Sequence, residues 1–225
     1  MTIQPDQRAL DDSQPIGGQL YDMLRLRIVR GELAPGMRLS EAGVAAEFAI
    51  SRQPVREVFI RLAEDGLLEI RPQRGSIVPK ISRQRVEEAR FVREAIEADV
   101  VKLAARALAP SALQELDALL ARQEAAADVH AFVELDDAFH RALAEGVGRA
   151  HAWAVIETLK AQLDRVRYLS LTRFPKAKLI GQHRAVVEAI RAGDAAAAET
   201  AMRTHLNTIV DDLPVIAAEN ETHFT

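Results

Sequence analysis

The chain has 225 residues, 48% hydrophobic and 28% charged, with a formal net charge of -4. This is enough chain for a small head of about 75 residues and one larger core in an ordinary soluble protein. It contains no cysteine, which excludes disulfides and thiolate metal sites, and no apolar run of membrane length. The start, MTIQPDQRAL, lacks the basic and apolar regions of a signal peptide, so a cytoplasmic protein is expected.

Residues 1–13, acidic and Pro/Gln-containing, read as a loose arm. Residues 19–30 carry apolar positions at helical period, Pro35 and Gly36 make a turn, and Ser40 is placed to cap a short helix ending near Phe48. A few residues later, Ser51 is an N-cap candidate, Pro54 fits a first turn, and Gly66 suits a left-handed terminus. Val55, Val58, Phe59 and Leu62 form one stripe of this second helix, leaving Arg52, Gln53 and Arg56 outside. The two arginines repel each other at the positive pole of the helix dipole, each effect unfavourable by roughly 0.3 to 1 kcal/mol. Such a placement suits an incoming anion, and an arginine also matches the two acceptors of guanine in the major groove.

Two short helices with so tight a connection form a helix-turn-helix whose second helix reads the duplex. Leu68 and Ile70 then alternate with Glu69 and Arg71, a tip follows at residues 72–75, and Ile77 and Val78 return, predicting a hairpin wing with Arg74 at the minor groove. Residues 1–80 hold eleven basic and eleven acidic side chains, so non-specific affinity is modest and tight binding depends on dimerisation.

After a boundary at residues 79–82, helical period predicts helices at 83–108, 111–127, 129–145, 150–172, 176–192 and 194–212, an antiparallel bundle. The whole chain is therefore mainly α. Phe132, Asp136, His140 and Leu143 share an inward stripe, while Asp137 stands four before Arg141 as a surface pair. His183 and His205 lie on inward stripes of two further helices. Three histidines and one aspartate thus enter one core, where they require either hydrogen bonds or a cation. With N and O donors only, a divalent transition metal such as Zn, Ni or Mn fits. Arg93, three before Ile96, also points inward, or else pairs with Glu97 on the helix surface; Arg165 and Arg167 are weaker candidates of the same kind.

These residues resemble the GntR-type transcriptional regulators. The pattern G-x-L-x-P-G, L-S-E, S-R-x-P-V-R-E, L-x-x-x-G-L-L and R-x-x-R-G is carried by Gly31 to Gly36, Leu39 to Glu41, Ser51 to Glu57, Leu62 to Leu68 and Arg71 to Gly75. Two positions depart from it: Ala49 stands where the family has glycine, and Gln53 where threonine is common. The body is similar to the FCD ligand-binding domain of the FadR-like subfamily. It carries D-x-x-F-H at Asp136, Phe139 and His140, a Q-H-R-A element from Gln182 to Ala185, and M-R-x-H-L from Met202 to Leu206. Arg149 replaces an asparagine that caps the next helix in that family.

The resemblance implies three segments: the arm at 1–13, a winged helix-turn-helix DNA-binding domain at 14–80 and an effector-binding FCD domain at 81–225. It implies DNA contacts by Ser40, Arg52, Gln53, Arg56, Arg74 and Gly75, metal held by Asp136, His140, His183 and His205, and an effector carboxylate on Arg93. The expected protein is a homodimeric repressor on a palindromic double-stranded operator, controlled by a small organic acid, with no membrane partner and no catalytic role. A regulator that senses the metal itself is the alternative. A metal-dependent enzyme is the weaker rival, since no positioned nucleophile or second acid/base pair accompanies the ligands.

Overall fold

A computed structural model describes residues 10, 11, 13–71 and 75–225. Among them, ten α-helices and one three-stranded sheet make a mainly α fold, an N-terminal winged helix-turn-helix followed by an all-α antiparallel bundle. Contacts divide the chain into residues 1–80 and 81–225. No helix among the described residues is long and apolar enough to cross a membrane.

In the head, α1 (Ile16–Val29) packs on α3 (Arg52–Glu64), burying Leu20, Leu24, Val55, Phe59 and Leu62 almost completely. Each such side chain contributes roughly 1.5–3 kcal/mol. Between them, α2 (Glu41–Glu47) starts at Ser40, whose hydroxyl accepts from the Gly43 N–H at 3.0 Å. Ser51 occupies the cap position of α3, but its side chain makes no cap bond. The α2–α3 turn places Ala49 at φ +54°, the one non-glycine residue with positive φ among those described. Gly66, at φ +70°, closes α3.

The wing holds one strand more than the hairpin expected from sequence. Strands β1 (Arg38–Leu39), β2 (Glu69–Arg71) and β3 (Gly75–Ile77) pair antiparallel in the order β1-β3-β2. A two-residue strand carries too little pattern to be recognised beforehand. Gly75 has φ +78°, and a Cβ there would come within 3.3 Å of the Leu39 carbonyl, so both the turn and the third strand require glycine. Of the two apolar residues in the alternation, Leu68 is buried while Ile70 is 48% exposed. Of the expected arm, residues 1–9 and Asp12 lie outside the described residues; Asp11 is bonded to the Gln19 amide, its N–H donating at 2.8 Å.

The body comprises α4 (Arg83–Ala107), α5 (Pro110–Ala125), α6 (Val129–Gly146), α7 (Ala150–Leu159), α8 (Ala161–Arg173), α9 (Lys176–Arg191) and α10 (Ala195–Glu219). Side-chain caps from Ser82, Asp128 and Asp194 fix the starts of α4, α6 and α10, and Pro110 opens α5. Two expectations are corrected. The single helix predicted over 150–172 is broken at Lys160, whose ammonium is buried between Asp137 and Asp164. The last helix runs seven residues past 212, through Pro214. An interior proline costs about 3 kcal/mol; Leu213 before it and Ile216 and Ala217 after it are buried against Val86, Leu163, Val166 and Phe224, which offsets that cost. The main core gathers Val101, Phe139, Leu143, Val186, Val187 and Met202 around the histidine-bearing faces.

Candidate metal centre and nucleic-acid interface

The first turns of α3 present Arg52, Gln53 and Arg56 to solvent. Among the described residues, neither arginine makes a hydrogen bond or ion pair, while the Gln53 amide donates to Glu57 at 2.9 Å. The Ser40 hydroxyl is engaged by its cap bond, and Gly75 serves the wing backbone. Arg74 lies outside the described residues; Arg71, nearby, is paired with Glu69 at 2.9 Å.

In the body, Asp136 and His140 on α6, His183 on α9 and His205 on α10 converge, each at most 6% exposed, with one ligand atom apiece lying within 4.8 Å of all the others. The Nε2 atoms of His140 and His183 both stand 3.2 Å from His205 Nε2. Asp136 reaches His183 Nε2 at 3.4 Å through Oδ1 and His140 Nε2 at 3.7 Å through Oδ2.

The opposite nitrogen of every ring faces an acceptor. His140 Nδ1 meets the Glu97 carboxylate, His183 Nδ1 meets Gln123 Oε1 at 2.9 Å, and His205 Nδ1 meets Gln182 Oε1 at 3.3 Å. Both glutamine amides are oriented by second bonds, Gln123 donating to the Leu135 carbonyl at 3.1 Å and Gln182 to the Thr208 hydroxyl at 2.8 Å. The protons therefore sit on Nδ1, and the bare Nε2 lone pairs face one another. Burial lowers His183 to about 3, and lowers His205 well below its ordinary range, so both are neutral at pH 7.

Opposed lone pairs at 3.2 Å repel unless a cation lies between them. Around an ion with bonds of about 2.1 Å, neighbouring donors stand about 3.0 Å apart at right angles and about 3.4 Å apart in a tetrahedron. The observed spacings match that range, so the donor set and its supporting acceptors fit a divalent ion of the zinc, nickel or manganese type.

Asp136 is held in turn by Arg167, which also bonds Asp137 at 2.9 Å and Asp164 at 3.1 Å. Burial alone would raise the Asp136 carboxyl, but Arg167 and then the histidines bring it below its usual value. Asp137 does not form the surface pair with Arg141 expected from sequence. It bonds Lys160 and Arg167, while Arg141 pairs with Glu157 at 2.8 Å. Arg93 takes the inward placement: it is 4% exposed and lines a cavity shared with Asp136, Arg167 and His205, and its bond to Glu97 is made in the interior rather than on the helix surface, because Glu97 is turned inward to His140. Glu97 is held at about 2, burial opposing and Arg93 and His140 prevailing.

Sequence reasoning missed Glu97, Gln123 and Gln182 as supports of the histidines, and underrated Arg167. Gln123 was findable, because it stands four after Leu119 and three after Leu120, both buried on α5. Glu97 stood only as a surface partner of Arg93, and nothing in its local pattern points to His140, forty-three residues away.

The family model described as "Bacterial regulatory proteins, gntR family" matches residues 17–78, and the FCD domain model matches residues 88–208. The chain is 43% identical over 220 residues to the HTH-type transcriptional repressor RspR of Escherichia coli (strain K12), covering 96% of each. It is 28% identical to a probable D-xylose utilization operon transcriptional repressor of Paenarthrobacter nicotinovorans, over 91% of this chain and 90% of that one. Among solved structures, E. coli McbR/YncC shares the fold with a TM-score of 0.74 at 21% identity, over 92% and 99% of the two chains. A putative transcriptional regulator GntR from Rhodococcus sp. RHA1 matches with a TM-score of 0.70 at 25% identity, over 90% and 97%.

Proposed function

Because the chain belongs to the gntR family of bacterial regulatory proteins and carries an FCD domain, it is a transcriptional regulator rather than an enzyme, and we propose that a small carboxylate bound beside a metal ion in its body controls its grip on operator DNA. In this reading residues 14–80 bind DNA and residues 81–225 receive the effector. Arg52, Gln53 and Arg56 enter the major groove and the wing, with Arg74, follows the adjacent minor groove. Two chains dimerise so that two α3 helices meet the half-sites of a palindrome. Repression relieved by the acid is the direction, in line with the repressor names of the relatives.

The observation that carries the receptor half is the set of three Nε2 atoms turned toward one another with every Nδ1 engaged behind them. Asp136, His140, His183 and His205 would hold the ion, which when bound supplies a local positive charge with positions open to an anion. Charge supports the same reading. Glu97, Asp136, Asp137 and Asp164 balance Arg93, Lys160, Arg165 and Arg167, so a divalent ion leaves this poorly hydrated region net positive, and an anionic effector offsets the excess. Arg93, aimed into the cavity, is the residue placed to take the carboxylate.

Selecting duplexes from a random pool with the full chain, then titrating the chosen operator, tests the DNA half. Arg52→Ala or Arg56→Ala is expected to cost about 1–3 kcal/mol of discrimination; unchanged selection by both variants rejects α3 as the reader. Titrating acid against operator affinity with metal already saturating tests the receptor half. Release by the acid supports the proposal, whereas release or tightening by the ion alone points to a metal sensor.

A further inference from the structure

A cavity opens beside the histidine cluster, and its lining divides into polar groups that already have partners and groups that do not. Five of its lining residues are Leu163, Leu171, Leu179, Leu206 and Ile209, contributed by α8, α9 and α10. Most of its polar groups are spent. Arg167 is bonded to three aspartates, and the Thr208 hydroxyl donates to the Thr204 carbonyl at 3.2 Å while accepting from Gln182.

Two buried donors on residues lining the cavity have no hydrogen-bond partner among the described residues. They are Arg93 Nη2 and Arg90 Nε; Ser170 adds a hydroxyl to the lining. The two spare donors come from α4, three residues apart and so on neighbouring positions of one face, and both residues line the cavity. One carboxylate uses them. The remainder of the ligand then meets leucine and isoleucine.

Resting on the receptor reading above, we infer that the effector is a monocarboxylic acid with a short aliphatic tail and at most one further hydroxyl, and that Leu163, Leu171, Leu179 and Ile209 set this choice. A sugar acid brings a hydroxyl on every tail carbon, and a dicarboxylate brings a second charge, to the side of the cavity lined by Leu163, Leu171, Leu179 and Ile209, where Ser170 adds one hydroxyl. Each such group forfeits its water without replacement, the kind of penalty by which sites discriminate strongly. Each added methylene gains apolar burial instead.

The test uses the full chain loaded with zinc, and reads both thermal shift and the fluorescence of Trp153, the sole tryptophan, whose ring lies parallel to that of His140 at 6.2 Å. Lactate, α-hydroxybutyrate and α-hydroxyisovalerate are compared with gluconate and malate. Affinity is expected to rise about fourfold per methylene along the first series, with gluconate and malate weaker than its longest member by tenfold or more. Leu179→Asn, at a half-buried position, should flatten the series without changing zinc content, and Leu179→Met should preserve it. Gluconate or malate binding as tightly as α-hydroxyisovalerate, or a series that stays steep in Leu179→Asn, overturns the inference while leaving the carboxylate receptor standing. Absence of binding by every acid overturns both.

Discussion

Ala49 sits at φ +54° in the turn three residues before α3 begins, where an L-residue with a Cβ is strained by roughly 1–2 kcal/mol relative to the right-handed region. Replacing it with glycine removes that strain. Against the gain stands the greater freedom of glycine in the unfolded chain, roughly 0.4–1 kcal/mol. Ala49 is exposed, so almost no packing is lost with its methyl group, and the turn bonds are backbone ones, Ile50 N–H donating to the Ala45 carbonyl at 3.0 Å. The balance is a stabilisation of about 0.5–1 kcal/mol, which in a unit of this size moves the midpoint of unfolding upward by roughly 2–8 °C. Circular dichroism melts of the full chain, following the transition that operator DNA shifts, read this directly. Ala49→Val provides the opposite arm, since a β-branched side chain at positive φ is worse than alanine and should lower the same transition. A melting point unchanged or lowered in Ala49→Gly would refute the argument from strain.

Gln123→Leu removes the acceptor behind His183 Nδ1 and should weaken metal affinity by about 10–100-fold with the fold intact, measured by competition with a chelating dye; unaltered affinity would show that the amide does not orient the ring. The metal-free chain should lose stability as pH falls from 6.5 toward 3. His183, lowered to about 3, and His205, also lowered, remain neutral when folded but take up protons near 6.5 when unfolded, so acid favours the unfolded state; Glu97, at about 2, adds to the loss from about 4.5 downward. Denaturant midpoints in chelator at pH 7.5 and 5.5 check the sign, which is wrong if the midpoint rises on acidification. Arg149 begins α7 without a side-chain cap, so Arg149→Asn should stabilise the body by about 1 kcal/mol, visible as a higher denaturant midpoint with unchanged m-value; no gain would mean the helix start tolerates the bare N–H groups.

The inward stripe of Phe132, Asp136, His140 and Leu143 was legible because helical period is a local property, and the same holds for the stripe of α3 that leaves Arg52 and Arg56 outside. What local rules cannot see are partners distant in sequence. Asp137 obeys the spacing rule for Arg141 yet bonds Lys160 and Arg167, because a half-buried carboxylate gains more from two cations in a poorly hydrated region than from one at the surface. The same pairing explains the break at Lys160, where neither proline nor glycine marks the spot. Pro214 shows the converse: a strong local breaker lies inside α10 because the residues after it are buried. The layer behind the histidines, Glu97, Gln123 and Gln182, escaped notice since glutamate and glutamine look like surface residues until the helices are assembled.

Elemental analysis of the purified full chain, after exchange into zinc, nickel or manganese and removal of free ion, bears most directly on the claim that three imidazoles and a carboxylate enclose a cation. One ion per chain is predicted, falling to background in His183→Ala and in Asp136→Ala while circular dichroism still reports a folded bundle. Full stoichiometry retained by both variants, or no ion held by the parent chain, would contradict it.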